Sequence, residues 1–200
     1  FRNTFEFIFK KRANRVITVS ESCADYLNNF YKLKNKPIIT FNSPKLLDYY
    51  SGKNLRDDLS IPDSTRILVY VGLLTKYRGI EKVLYAIKSI PNMVFVTVGP
   101  TNNLKYLEIL KKIREQNNLI NKVFFLDPVS PHEVLSYISS ADASIIPVEN
   151  VCLSYYYCMP NKLFESIFAC LPIIVSKLKD TDDFVSEYKC GLSVDINNQL

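Results

Sequence analysis

Short apolar runs alternate with amphipathic segments from Thr65 to the end of the chain, and no other feature constrains the fold as strongly. Each apolar run is nearly continuous, which is typical of a parallel strand buried on both faces. The predicted strands lie at residues 66–72, 93–99, 123–126, 143–147, 173–176 and 191–194. Helices are predicted between them, at residues 81–90, 104–119, 131–139, 161–169 and 180–188. The second of these helices has a predicted buried face of Leu104, Leu107, Leu110 and Ile113.

Strands and helices that alternate in this way need crossover connections, because consecutive strands run in the same direction. Helices then cover both faces of one sheet. The predicted fold class is therefore α/β, a Rossmann-like doubly wound parallel sheet. Ligands of such sheets bind beyond the carboxyl ends of the strands, so we expect the functional site in the loops after Val71, Val98, Leu126 and Ile146.

The chain before Thr65 has a different pattern. Residues 15–20 predict a strand, and Ser20 offers capping chemistry to a helix that runs to about Tyr31. Residues 37–41 read as extended, and a polar stretch with turn signals follows. The predicted divisions are the last strand–helix unit of a preceding domain, a linker and a main domain, at residues 1–44, 45–64 and 65–200. Because the chain begins at Phe1 rather than Met, we expect an excerpt of a longer protein, incomplete at both ends.

Composition excludes several classes of protein. Hydrophobic residues make up 48% of the chain and charged residues 22%, which is ordinary for a globular protein and excludes a disordered, collagenous or coiled-coil chain. No run of about 18 apolar residues is present, so no membrane-spanning helix is predicted. The net charge of +5 is scattered among acidic residues, apart from a basic run at residues 10–15, so we expect no nucleic-acid partner.

Cysteine and histidine usage points away from metal and redox chemistry. The five cysteines are widely spread and contain no C-x-x-C pair, so neither a disulfide framework nor structural zinc is predicted. Free thiols are typical of the reducing cytoplasm, where we expect the protein to be located. His132 is the only histidine, which leaves little basis for Ser-His-Asp catalysis.

The segment GLLTKYRG, at residues 72–79, is the first candidate site. Glycines between a buried strand and a helix leave backbone N–H groups free to meet an anion, and Lys76 and Arg78 add positive charge there. The spacing is neither G-x-G-x-x-G nor a Walker A loop. The alternative is a tight turn that carries two solvated cations.

The segment MPNKLFESIFACLP, at residues 159–172, is the second and more informative candidate. A helix beginning at Asn161 would present free N–H groups and the Lys162 ammonium, which together suit a diphosphate. Glu165, one turn further on, could accept hydrogen bonds from the hydroxyls of a ribose. The alternative is that Glu165 only complements the helix dipole, an effect of about 0.3–1 kcal/mol.

Two further segments allow two interpretations each. The tyrosines at residues 155–157 could stack on a base or a sugar, or could pack a loop. Apolar residues at positions 1–9 precede the basic residues 10–12, so this segment could be an interfacial membrane helix or a core helix of the preceding domain. We favour the core helix, because a helix that leads into a buried strand must bury one face.

Taken in order, these segments resemble the carboxyl-terminal half of family 4 glycosyltransferases of the GT-B fold, also called group 1 glycosyltransferases. The resemblance covers essentially the whole chain, and its specificity lies in the ordered set rather than in any single motif. The matching positions are residues 13–20, Asn42, residues 71–81, 98–99, 125–126, 141–143, Pro147, and residues 160–165, 171–172 and 191–192.

The resemblance implies that residues 65–200 bind a UDP- or GDP-sugar as substrate, with no metal or other cofactor, and that the preceding domain supplies most of the acceptor site. It further implies that Arg78 and Lys162 act as catalytic residues by neutralising the diphosphate that leaves. The predicted substrate-binding positions are Gly72, Gly99, Asn161, Leu163 and Glu165, which lie in the matching segments, together with Lys76 from the residue pattern and Tyr157, which could stack on a base or a sugar.

Three positions depart from the family pattern. Glu165 matches the second glutamate of the E-x7-E motif, but Tyr157 stands where the first would be. Leu73 replaces an arginine often found after the first glycine, and Cys170 replaces a glycine before Leu-Pro. The segment DTDD, at residues 180–183, resembles the metal-binding D-x-D of a different glycosyltransferase fold, but its place at the start of a helix favours capping and pairing with the helix dipole.

The leading hypothesis is the donor-binding portion of a retaining glycosyltransferase that makes cell-envelope polysaccharide on a glycan or lipid-linked acceptor. Such a protein would work in the cytoplasm or at the inner face of its membrane, and this excerpt alone should transfer no sugar. The alternatives are a sugar-nucleotide epimerase of related two-domain fold and a binding-only α/β module. The epimerase would want histidines in its cleft, and only His132 is present.

Overall fold

The computed structural model describes residues 13–45 and 52–196. Their centre is a sheet of six strands in the order β5-β4-β3-β6-β7-β8, and every neighbouring pair is parallel. The strands of this sheet are β3 Arg66–Val71, β4 Met93–Val98, β5 Val123–Leu126, β6 Ala143–Ile146, β7 Ile173–Ser176 and β8 Gly191–Val194. The prediction of a doubly wound parallel sheet is confirmed.

The helices alternate with these strands as expected. Those that follow β3 to β7 are α3 Ile80–Ile87, α4 Leu104–Gln116, α5 Val134–Ile138, α6 Leu153–Tyr156, α7 Asn161–Phe168 and α8 Lys179–Tyr188. The remaining elements precede the sheet and are β1 Ile17–Thr18, α1 Glu21–Tyr31, β2 Ile38–Ile39 and α2 Leu55–Asp58. β1 and β2 pair in parallel as a small separate sheet.

The order of the strands reverses between β3 and β6. The chain proceeds outward from β3 through β4 to β5, then returns to pair β6 with the other side of β3, with Leu68 opposite Ala143 and Val69 opposite Ser144. Such a reversal opens a crevice at the carboxyl ends of the two central strands. The loops that follow β3 and β6 therefore frame the expected ligand site.

The two faces of β3 lie in two different hydrophobic clusters, as expected of a strand buried on both sides. Ile67, Val69 and Val71 pack with residues of α5 and with residues that follow α7. Leu68 and Tyr70 pack with α3 and α4 on the opposite face. This double burial explains why the strand reads as one continuous apolar run.

The buried face of α4 differs from the prediction. Leu104 is 72% exposed, whereas Tyr106 is only 1% exposed and packs in the core with Leu110. Asn103 caps the helix through its side chain, which accepts a hydrogen bond from the Tyr106 N–H. The first turn is thereby fixed with Tyr106 inward, and Leu104 falls on the solvent side.

Two short helices, α2 and α6, were not predicted, because one turn is too short to show a hydrophobic period. Asn54 caps α2, and Leu55 is fully buried in the core although it lies in a stretch predicted to be a linker. The Arg56 guanidinium pairs with Asp142 at 3.0 Å and donates to the Thr65 carbonyl. This part of the chain is thus tied to the sheet, while the domain boundaries themselves stay a prediction.

The acidic segment at residues 180–183 does not cap its own helix. α8 has Leu178 at its N-cap and carries Asp180 in its first turn. Asp180 is buried, and its Oδ1 accepts a hydrogen bond of 3.1 Å from the Ser22 N–H at the start of α1. The capping prediction is therefore wrong for α8, because the Asp180 side chain turns toward the neighbouring helix. Asp180 and Asp182 still lie in the first turn, where the predicted pairing with the helix dipole places them.

Several further predictions concern what the described part of the chain contains. All five cysteines are free thiols. Within residues 13–45 and 52–196 there is no group of three metal-binding side chains, and no helix is long and apolar enough to cross a bilayer. The candidate membrane or core helix at residues 1–12 lies outside the described residues.

Candidate functional site

Two glycines bring the loops after β3 and β4 into direct contact. Gly72 has a φ of +127°, and Gly99 has a φ of +154°. The Gly72 N–H donates to the Val98 carbonyl at 2.9 Å, and a Cβ on Gly99 would lie 2.2 Å from the Gly72 carbonyl oxygen. Only glycine fits such a backbone and such an approach. The backbone of Gly99 therefore packs directly against the carbonyl group of Gly72.

The far end of the 72–79 loop is packed against the loop that follows β6. Gly79 has a φ of +67° and precedes α3, and a Cβ there would lie 2.1 Å from the Pro147 carbonyl oxygen. The Glu149 N–H donates to the Tyr77 carbonyl at 3.0 Å. These contacts hold the loop across the crevice between β3 and β6, while Lys76 projects from it as an exposed residue.

Lys162 reaches from the first turn of α7 to the glycine loop. Its Nζ lies 2.9 Å from the Tyr70 hydroxyl and 4.2 Å from the centre of the Tyr70 ring. The same atom is 3.2 Å from the position that a Cβ on Gly72 would occupy. Two positions predicted from separate motifs, Gly72 and Lys162, are thus in contact.

The electrostatic surroundings of Lys162 disfavour its own charge. Burial lowers the pKa of Lys162 to about 7, and the positive charge of Arg78 acts in the same direction. Glu165 and Cys158 act in the opposite direction. An anion bound beside this ammonium would remove the penalty by supplying the missing negative charge.

Arg78 is the second cation of the site. Its guanidinium carbon lies 4.7 Å above the ring of Tyr155, and its Nε is buried without a hydrogen-bond partner among the described residues. Neither Arg78 nor Lys162 forms an ion pair with a carboxylate in the part of the chain that the structure describes. A buried donor of this kind costs free energy unless a ligand accepts its hydrogen bond.

Glu165 lies one turn along α7 from Lys162 and is half-buried. Burial raises the pKa of Glu165, and the Lys162 charge lowers it. Asn161 is exposed at the first position of the helix, after Pro160 at the N-cap, which makes no side-chain capping bond. Asn161 and Lys162 thus both belong to the N-terminal turn of α7.

Two further predicted positions are Leu163 and Tyr157. Leu163 is fully buried in the core, and its N–H already donates to the Pro160 carbonyl at 3.0 Å. The ring of Tyr157 lies 5.9 Å from that of Tyr26 on α1, and its carbonyl accepts a hydrogen bond from the Ser20 hydroxyl. Their side chains pack against other parts of the protein.

Sequence reasoning missed two members of the site, Tyr70 and Cys158, and considered Tyr155 only for stacking on a base or sugar or for packing a loop. Tyr70 and Tyr155 touch Lys162 and Arg78, and the Cys158 thiol lies near both cations, with its pKa raised by burial to about 11. Tyr70 gave one detectable signal, since a tyrosine in an otherwise aliphatic buried strand needs a partner for its hydroxyl. Nothing in the sequence pairs Tyr155 with Arg78.

The fold and this geometry define a Rossmann-like domain with two cations, Arg78 and Lys162, at the carboxyl ends of its central strands. Residues 51–199 match the family model described as glycosyl transferases group 1. The match spans most of the chain, and the chain therefore belongs to this family, as the resemblance in the sequence predicted.

Curated relatives are distant and longer. A D-inositol 3-phosphate glycosyltransferase of Corynebacterium urealyticum is 27% identical over 151 residues, which are 72% of this chain and 34% of that protein. A putative teichuronic acid biosynthesis glycosyltransferase of Bacillus subtilis, TuaC, is 27% identical over 125 residues, or 61% of this chain and 27% of that protein. The chain thus spans about a third of the length of these relatives.

Among solved structures, the Anabaena protein Alr3699/HepE in complex with UDP and glucose superposes with a TM-score of 0.70 at 15% identity. The superposition covers 88% of this chain and 47% of that one. At this level of identity the likeness shows the fold alone.

Proposed function

We propose that this chain is the donor-binding portion of a glycosyltransferase that takes its sugar from a UDP- or GDP-sugar. The observation that carries the proposal is the pair Arg78 and Lys162, two cations at the crevice between β3 and β6 with no carboxylate partner among the described residues. A diphosphate is the ligand class that such a pair fits, because it carries charge to meet both and accepts several hydrogen bonds.

In this proposal the chemistry of the chain is electrostatic. When the bond between the sugar and the diphosphate breaks, negative charge develops on the leaving phosphate, and fixed cations stabilise that charge in a site shielded from water. Lys162 and Arg78 are the catalytic residues, and Gly72, supported by Gly99, lets the backbone approach the phosphates. No metal ion is required for this role, which is also a proposal.

The remaining site residues follow from the same placement. Glu165 would accept hydrogen bonds from the ribose hydroxyls, and Asn161 would offer the N-terminal turn of α7 to the phosphates. The substrate-binding roles of Lys76, Leu163 and Tyr157 stay predictions. The exposed Lys76 would need to fold over the donor, and the other two would act through packing.

The rest of the reaction belongs to the longer protein. We propose transfer with retention of anomeric configuration to a glycan or lipid-linked acceptor, in cell-envelope polysaccharide synthesis. The relative TuaC, a putative teichuronic acid biosynthesis glycosyltransferase, supports the envelope assignment, and the UDP and glucose bound to HepE support the donor class. Such an enzyme would work in the cytoplasm, at the inner membrane face for a lipid-linked acceptor.

A comparison of UDP with UMP tests the donor site. We expect the chain to bind UDP roughly tenfold more tightly than UMP, equally well with or without EDTA, because the second phosphate meets a second cation. Lys162→Met and Arg78→Met should each reduce that preference, whereas Lys112→Met, at an exposed position of α4, should leave it unchanged. Equal affinities for UDP and UMP in the unsubstituted chain would contradict the proposal.

A further inference from the structure

Tyr70 occupies a special position under the proposed donor site. It is fully buried in β3, two residues before Gly72, with its ring in the cluster formed with α3 and α4. Its hydroxyl lies at the edge of that cluster, beneath the glycine loop. Burial raises the pKa of Tyr70 to about 12, so the hydroxyl is protonated at physiological pH.

The Tyr70 hydroxyl makes two hydrogen bonds with opposite roles. It donates to the Leu73 carbonyl at 3.0 Å and accepts from the Lys162 Nζ at 2.9 Å. A hydroxyl has one proton, and the bond to Leu73 fixes the direction in which that proton points. The lone pairs are then turned toward Lys162. One side chain thereby joins the backbone of the glycine loop to the lysine of α7.

No other group in the described part of the chain accepts a hydrogen bond from the Lys162 ammonium. Arg78 from the 72–79 loop repels the Lys162 ammonium, and Glu165 attracts it through the charge of its carboxylate. The Tyr70 hydroxyl is the acceptor that the structure places within hydrogen-bond distance of the Nζ in the described residues. An ammonium has three N–H donors, so two remain for a ligand above Gly72.

We propose that Tyr70 is a positioning residue, which holds the Lys162 ammonium over Gly72 and the Leu73 carbonyl in place so that the donor phosphates meet a preformed cation. This inference rests on the proposed function. Tyr70 lies under the site and acts on the phosphates through Lys162 rather than by contact. Removal of its hydroxyl should therefore affect Lys162 and donor binding together.

The test compares Tyr70→Phe with Tyr106→Phe. Each substitution removes one hydroxyl from a buried tyrosine of the same cluster, but Tyr106 donates to Glu81 instead of contacting Lys162. NMR titration of lysine labelled at its terminal carbon reports the pKa of Lys162 in the free protein. We expect Tyr70→Phe to lower this pKa, because the charged lysine loses an acceptor, and Tyr106→Phe to leave it unchanged.

Binding of UDP gives the second measurement. We expect Tyr70→Phe to weaken UDP roughly tenfold, the loss typical of a hydrogen bond to a charged group. In a Lys162→Met background the same substitution should cost nothing further, since its effect passes through the lysine. Additive losses in the double variant would overturn the inference, as would a Lys162 pKa that does not move.

The two measurements separate the inference from the proposed function. If the unsubstituted chain fails to bind UDP, the donor-site proposal fails, and the NMR titration still decides whether Tyr70 holds Lys162. If UDP binds normally and Tyr70→Phe behaves like Tyr106→Phe in both measurements, the donor site stands and the inference is wrong. Lys162→Met tests the same bond from its other end if Tyr70→Phe does not fold.

Discussion

The Lys162 Nζ lies 3.2 Å from the point where a Cβ on Gly72 would be, so the lysine fills the space that the glycine leaves open. The residues are 90 positions apart and belong to different motifs. Their contact joins the loop after β3 to the first turn of α7, on either side of the point where the strand order reverses. This contact is the centre of the proposed diphosphate site.

Gly72→Ala should displace the lysine. The added methyl group would approach the ammonium closely, and a φ of +127° disfavours any side chain. We expect a stability loss of about 1–3 kcal/mol and UDP binding weakened by roughly tenfold or more. Urea unfolding and calorimetry measure the two effects.

Gly52→Ala is the matched control for that substitution. Gly52 also has a positive φ, of +72°, but nothing lies within 4 Å of its Cβ position. It should share part of the stability loss and none of the binding loss. If both alanine variants bind UDP as the unsubstituted chain does, the role assigned to Gly72 in the donor site is contradicted.

The affinity for UDP should fall as pH rises through neutrality. The pKa of Lys162 is about 7, so the lysine loses its charge within the range where UDP stays fully ionised. We expect steadily weaker UDP binding from about pH 7 to about pH 9, and a much flatter profile for Lys162→Met. A wild-type profile as flat as that of the variant would show that Lys162 does not meet the phosphates.

The same pKa shift determines how the stability of the free chain depends on pH. The folded pKa lies far below the ordinary lysine value, so the unfolded chain binds more protons between the two values. The contribution of Lys162 therefore destabilises the fold below about pH 7 and disappears as pH rises toward about 10. The unfolding midpoints of the unsubstituted chain and of the Lys162→Met variant, both measured without ligand, should therefore converge as pH rises.

Glu165→Gln should separate ribose recognition from phosphate recognition. The substitution keeps the size of the side chain and removes the negative charge of the carboxylate, which would accept hydrogen bonds from the ribose hydroxyls. We expect UDP to weaken roughly tenfold while inorganic pyrophosphate binds as before or more tightly, because one negative charge has left the site. Equal losses for the two ligands would remove the ribose role from Glu165.

Asp180→Ala should loosen α1 from α8. The variant loses the acceptor for the Ser22 N–H, which we expect to cost about 0.5–2 kcal/mol, as for other helix-start acceptors. Asp180→Asn keeps an acceptor and should retain most of the stability. Asp183→Ala, which removes only a surface ion pair with Lys179, serves as the control. An Asp180→Ala variant as stable as Asp183→Ala would contradict this assignment.

Sequence pattern predicted the sheet well and the side-chain contacts poorly, for physical reasons. β5 and β7 are short, largely apolar runs between polar segments, so their limits could be read directly from the sequence. The inward face of α4 depended on the Asn103 cap, which turned Tyr106 toward the core and Leu104 outward. A hydrophobic period alone does not contain that information.

The residues of the candidate site could likewise be predicted only in part. Gly72, Arg78, Lys162 and Glu165 could be chosen because glycines, cations and acids at strand and helix ends suggest an anion and a ribose. Tyr70 and Tyr155 act through contacts with residues distant in sequence, which only the folded chain brings together. Tyr157 is predicted to bind substrate from its place in a motif, and its ring lies 5.9 Å from the ring of Tyr26.

A crystal structure of this chain with UDP would show directly whether the two cations hold the diphosphate. We expect both phosphates between the backbone of Gly72 and the side chains of Lys162 and Arg78, with the ribose hydroxyls at Glu165. UDP bound elsewhere on the chain, or phosphates that contact neither cation, would contradict the donor-site proposal.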